Sequence, residues 1–142
     1  MKIKDVMHQK ILTVAPDTNI ADTAKFMREH KIGCVVIKDI SSYLGIITER
    51  DILIKVVAGG KNSHEVLAKD IMTTNLITMD EESTIQEAAD LMSDKNIRRL
   101  LITRDGKITG IITIRETSKY IRYGSVTTLL QDGKDYSRET FS

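Results

Sequence analysis

Lys4-Asp5-Val6-Met7 returns as Lys69-Asp70-Ile71-Met72, and Gly45-Ile46-Ile47-Thr48 returns as Gly110-Ile111-Ile112-Thr113. Both recurrences fall 65 residues downstream, from 4 to 69 and from 45 to 110. One register without a gap carries residues 3–51 onto 68–116. Thr13/Thr78, Ile20/Ile85, Ala24/Ala89, Met27/Met92, Ile32/Ile97, Ile37/Ile102 and Arg50/Arg115 are identical in it, and most other apolar positions match in kind. Self-similarity at a fixed period is the signature of a duplicated structural unit.

Each copy reads as the same string of elements. An extended piece, residues 11–14 or 76–79, leads into a helix. In copy two Ile85, Ala88, Ala89 and Met92 fall at i, i+3, i+4 and i+7, which makes one apolar face. Thr84 with Glu87 forms a capping box at its start, and Asn19 is the cap in copy one. Two strands follow, residues 100–103 and 108–113 in copy two, around Asp105-Gly106, a hairpin signal. Copy one keeps the loop length, 38–42, without the glycine. A last helix starts after Thr48 or Thr113, and Gly59-Gly60 and Gly124 stand where C-terminal caps belong. The reading is a mixed α/β (α+β) fold of two β-α-β-β-α repeats, packed as a pseudo-twofold pair. Their spans are 1–60 and 68–123, with a linker at 61–67 and a polar tail at 124–142.

Composition removes several classes. The chain has 142 residues, 41% hydrophobic and 29% charged, with a formal net charge of +1. A chain of that length buries roughly two thirds of its unfolded surface. Neither half is strongly basic, so bulk binding to a polyanion is not expected. Aromatic residues are 4% with no Trp, which disfavours a stacking platform for single-stranded nucleic acid. No apolar run approaches a membrane span, and Met1-Lys2-Ile3-Lys4-Asp5 does not open a signal peptide. The lone Cys34, in an apolar run, is expected to be packed rather than reactive. His8, His30 and His64 are scattered, so no metal site is expected, and a cytoplasmic location is. No nucleophile–base pair, paired carboxylate or Walker-type loop points to an enzyme.

The ordered set, occurring twice, resembles a tandem pair of CBS (cystathionine β-synthase) domains. The resemblance rests on Lys-Asp-(Val/Ile)-Met, an extended segment with Thr, a helix, then Gly-Ile-Ile-Thr-x-Arg-(Asp/Glu). It covers about residues 1–123 and implies a stand-alone CBS pair that regulates a partner protein. It also implies a homodimer, disc-shaped, and an adenosine-containing ligand in a cleft between the repeats. AMP, ADP or ATP is the first expectation, as a regulatory ligand and not a required cofactor; S-adenosylmethionine or NAD is an alternative. A structural dimerisation module with vestigial sites and a nucleic-acid binder are the competing readings.

Thr48-Glu49-Arg50-Asp51 carries two readings of its own. Thr48 and Asp51 can form a capping box at a helix start. The same Thr hydroxyl can hydrogen-bond a ribose or phosphate, and the Asp carboxylate can accept both hydroxyls of a ribose diol. The resemblance implies the second role. It joins to Thr48 and Asp51 the base neighbours Leu76, Ile77 and Thr78, a wall of Ile97 and Leu101, and candidate phosphate groups at Arg98, Arg99 and Arg115. Neighbours on a strand point to opposite faces, so Arg98 and Arg99 can hardly enter one cleft together, and a solvated strand edge remains the other reading. A second, weaker site is implied around Ile11, Leu12, Thr13, Ile32, Gly33, Val36, Arg50, Thr113 and Glu116. There Glu116 replaces the aspartate and Gly33-Cys34 replaces the arginine pair.

Overall fold

Two three-stranded sheets organise the chain, one per repeat, each with a parallel and an antiparallel pair. The structure is a computed structural model and describes residues 1–124; the expected polar tail lies outside the described residues, Gly124 excepted. In copy one, β1 (Thr13–Val14), α1 (Ile20–His30), β2 (Cys34–Lys38) and β3 (Tyr43–Thr48) are followed by α2 (Glu49–Ile52), which runs into a π-helical turn, Leu53–Val57. A one-turn helix, α3 (Ala68–Ile71), opens copy two. It continues through β4 (Thr78–Asp80), α4 (Ile85–Lys95), β5 (Arg99–Arg104), β6 (Lys107–Thr113) and α5 (Ile114–Gly124). The extended segments are shorter than their apolar runs predict, because only Thr13–Val14 and Thr78–Asp80 find a ladder partner.

Helices α1 and α4 begin as their caps predict. The Asn19 side chain accepts the Asp22 N–H at 2.8 Å, and the Thr84 hydroxyl accepts the Glu87 N–H at 3.1 Å. Each satisfies a donor that the first helical turn cannot pair internally. Both helices end on left-handed residues 65 positions apart, Lys31 at φ 55° and Asn96 at φ 53°. The hairpins differ for a local reason. Asp105 and Gly106 both take positive φ, which a type I′ two-residue turn requires. Copy one has no such glycine, and its loop spans 39–42. There the Asp39 carboxylate accepts the N–H groups of Ser41 (2.9 Å) and Ser42 (2.7 Å). Those bonds hold the Asp39 carboxyl below the usual carboxylate range.

The compact units do not follow the sequence repeats. One unit is Ile11–Leu76; the other combines Met1–Lys10 with the described residues from Ile77 onward. Each repeat's lead segment is therefore built into the core of the other copy's unit. In the copy-one unit, Ala68 and Ile71 of α3 join the buried cluster of Ile20, Met27, Val35, Ile37, Ile47 and Val56. In the copy-two unit, Ile3 of a 3-10 turn (Ile3–Asp5) joins Ala88, Met92, Leu100, Ile102 and Ile112. A large apolar side chain such as Ile3 stabilises by about 1.5–3 kcal/mol when fully buried. Backbone bonds fasten the segments. Thr73 and Ile46 exchange N–H···O bonds at 2.9 and 3.0 Å, and His8 and Ile111 exchange two at 2.9 Å. The stretch 61–67 is tied to the same unit as α1: Ala21 N–H donates to Ser63 O and Ile20 N–H to Val66 O, both at 2.9 Å.

Candidate functional site

The β3–α2 corner carries the capping box in full. Thr48 Oγ1 accepts the Asp51 N–H at 3.1 Å, and Asp51 Oδ2 accepts the Thr48 N–H at 2.9 Å. The other carboxylate oxygen, Oδ1, lies 3.4 Å from Lys55 Nζ, one helical turn on. Lys55 also donates to the Ile71 carbonyl at 2.8 Å, which fixes the ammonium beside the acid. The corner is built on β2 as well: Cys34 pairs with Thr48, and Glu49 N–H donates to Gly33 O at 3.0 Å. Asp51 is left 19% exposed, an acid that remains reachable while its geometry is set by the backbone. Cys34 is half-buried at this corner rather than deep in the core.

The matching β6–α5 corner is wired differently. Glu116 Oε2 accepts the Thr113 N–H at 3.0 Å and also the Thr113 hydroxyl. Its Oε1 lies 2.5 Å from His8 Nε2. Burial pushes the Glu116 carboxyl up, but the bonds from Thr113 and His8 outweigh it and hold the group below its ordinary value. Arg99 pairs with Thr113 across the ladder, and Ile114 N–H donates to Arg98 O at 2.8 Å. Arg98 stands just before β5 and is exposed, whereas Arg99, its first residue, is half-buried. Arg98 lines an open groove of about 650 Å³ between α4 and α5, with Met92, Ile97, Ile114 and Ile121 among its walls.

The remaining candidates fall on the sheets. Thr13 pairs with Val36, and Leu12 O accepts the Val36 N–H at 3.2 Å. Thr78 pairs with Leu101 at the same position of copy two. Ile11, Ile32, Leu76, Ile77 and Ile97 are half-buried, whereas Arg50 and Arg115 are exposed on the first turns after the corners. Thr48, Asp51 and Leu76 belong to the copy-one unit, and Ile77, Thr78, Ile97, Arg98, Arg99, Leu101 and Arg115 to the copy-two unit. Among the described residues no cluster of three or more His, Cys, Asp or Glu could hold a metal ion, and no helix is long and apolar enough to cross a membrane. Sequence reading missed His8 and Lys55. His8 has no motif around it; only its alignment with Thr73, against Glu116 aligned with Asp51, marks it.

The profile of the CBS domain family matches residues 3–58 and 68–123, spans that each contain one Thr corner. The chain belongs to this family. A curated relative, the uncharacterized protein MK0525 of Methanopyrus kandleri, is 41% identical over 141 residues, covering 98% of this chain and 71% of that protein. Among solved structures, the CBS-domain containing protein ATU1752 of Agrobacterium tumefaciens superposes with a TM-score of 0.80 at 30% identity, over 85% of this chain and 99% of that one. An uncharacterized conserved protein of Pyrococcus horikoshii gives 0.79 at 31% identity, over 85% and 92%. The mixed α/β fold with two three-stranded sheets is thus that of the CBS pairs, and the repeated motif marks the two CBS repeats.

Proposed function

We propose that this CBS pair is a non-catalytic regulatory module that binds an adenosine-containing ligand, an adenine nucleotide first among them. The observation that carries this reading is the Thr48–Asp51 corner. A carboxylate is held by the Thr48 N–H at 2.9 Å, stays partly exposed, and has a hydroxyl and an ammonium beside it. A ribose diol needs an acceptor of that kind, and a carboxylate offers about four lone-pair sites, of which the box uses one. Leu76, Ile77 and Thr78 would flank or edge the base. Arg98, Arg99 and Arg115 are the candidate phosphate groups.

A melting screen of the full chain with AMP, ADP, ATP, NAD and S-adenosylmethionine tests it. The expected result is stabilisation by at least one of them, about 2.7 kcal/mol at a hundredfold excess over its dissociation constant. Asp51→Ala is expected to abolish the shift. No shift with any ligand overturns the reading.

A second reading, association of two copies through a structural face, is favoured by Leu53 and Val57. They are 60% and 65% exposed on the π-helical turn, beside Ile54. Adjacent exposed apolar side chains of this kind mark interaction surfaces. A dimer by light scattering that ignores every ligand would favour this second reading alone.

A further inference from the structure

We infer that His8 closes the Glu116 corner, so that the chain takes its ribose-bearing ligand at Asp51 and not at the corresponding acid of copy two. This rests on the ligand reading above and adds the residue that makes the two corners unequal.

The argument begins with hydrogen-bond capacity. At the copy-one corner, the Thr48 hydroxyl accepts the Asp51 N–H. Asp51 Oδ1 lies 3.4 Å from Lys55 Nζ, longer than a hydrogen bond. At the copy-two corner the Thr113 hydroxyl proton goes to Glu116 Oε2, which also takes the Thr113 N–H. Glu116 Oε1 takes the His8 imidazole at 2.5 Å. A diol arriving there meets an acid whose two oxygens are already engaged. It would have to displace a short, charge-assisted contact from that carboxylate.

The second part of the argument is where His8 is rooted. Its N–H and C=O both pair with Ile111, the residue two before Thr113, so the ring starts from a fixed backbone. Copy one has Thr73 at this position, with the same two backbone bonds to Ile46. No hydrogen bond joins Thr73 to Asp51 among the described residues. The scaffold is the same in both corners, and the side chain on it differs.

Ligand stoichiometry of the full chain, read by calorimetry with AMP and with adenosine, tests this. One ligand per chain is expected for the parent protein and none for Asp51→Ala. His8→Thr installs the residue that copy one carries on the same scaffold, and it is expected to raise the count to two. Adding Glu116→Ala to His8→Thr is expected to return it to one. His8→Ala serves as a second way of removing the ring should the threonine variant fail to fold. A count that stays at one in both His8 variants, still abolished by Asp51→Ala, overturns the role of His8 and leaves the ligand reading standing. Two ligands on the parent protein, one of them lost in Glu116→Ala, likewise overturns it. No binding by any variant overturns both.

Discussion

Glu116 and Glu82 hold their charge for different reasons, and acid tests both. For Glu116, burial opposes ionisation while Thr113 and His8 favour it, and the net shift is downward. A carboxyl lowered on folding contributes stability that is fully present above its unfolded value, about 4.3, and is lost as pH falls through the lower folded value. Glu116→Gln is therefore expected to cost stability near neutrality. In thermal melts, its deficit against the parent protein should shrink as the pH drops below about 4. A deficit independent of pH would remove the ionised Glu116 from the account. Glu82 is the exposed case: bonds from Lys2 and Lys4, both at 2.6 Å, hold it at about 2. Salt is expected to weaken that pair, as it does any surface ion pair. At this scale the sequence was legible where partners are local. Thr48 with Asp51 and Thr84 with Glu87 are three residues apart, and their spacing is itself the geometry. His8 and Glu116 are 108 apart, and no local pattern connects them.

The elements explain why the glycine of Gly-Ile-Ile-Thr recurs. A Cβ on Gly45 would stand 2.8 Å from both the Met72 sulfur and the Thr73 carbonyl oxygen; on Gly110, 2.6 Å from the Met7 sulfur and 2.9 Å from the His8 oxygen. The lead segment lies flat on the strand edge only because that position has no side chain. A methionine tip can move aside, but a backbone carbonyl held by a ladder bond cannot. Gly110→Ala and Gly45→Ala are each expected to destabilise by about 1–3 kcal/mol, read by denaturant titration. A loss below about 0.5 kcal/mol would mean that the segment yields freely. The sequence displayed both halves of this contact, the Met and the Gly, twice over. It could not display which copy's Met meets which copy's Gly, because a duplicated pattern is satisfied equally by either pairing. The strand and helix types were readable from periodicity. The short ladders of β1 and β4 were not, because an apolar run records burial rather than pairing.

On the scale of the whole molecule, the repeat boundaries read from the sequence and the boundaries of the packed units differ by one lead segment. A fragment of residues 11–76 contains everything its core cluster uses, including Ala68 and Ile71. A fragment of residues 1–66 contains a complete sequence repeat but lacks both. The first is expected to show a cooperative melt by circular dichroism and the second none, although both contain the same sheet. Equal behaviour of the two fragments would mean that the exchanged segments contribute little. Covalent order makes the exchange costly in time as well. A chain emerging from its N-terminus cannot finish its first core until residue 71 has been made. Its opening ten residues have no sheet to lie on until β6, about a hundred positions later, is in place. Long-range contacts of this kind fold slowly and leave apolar surface uncovered meanwhile. Residues 1–10 therefore wait for a partner that is made long after them.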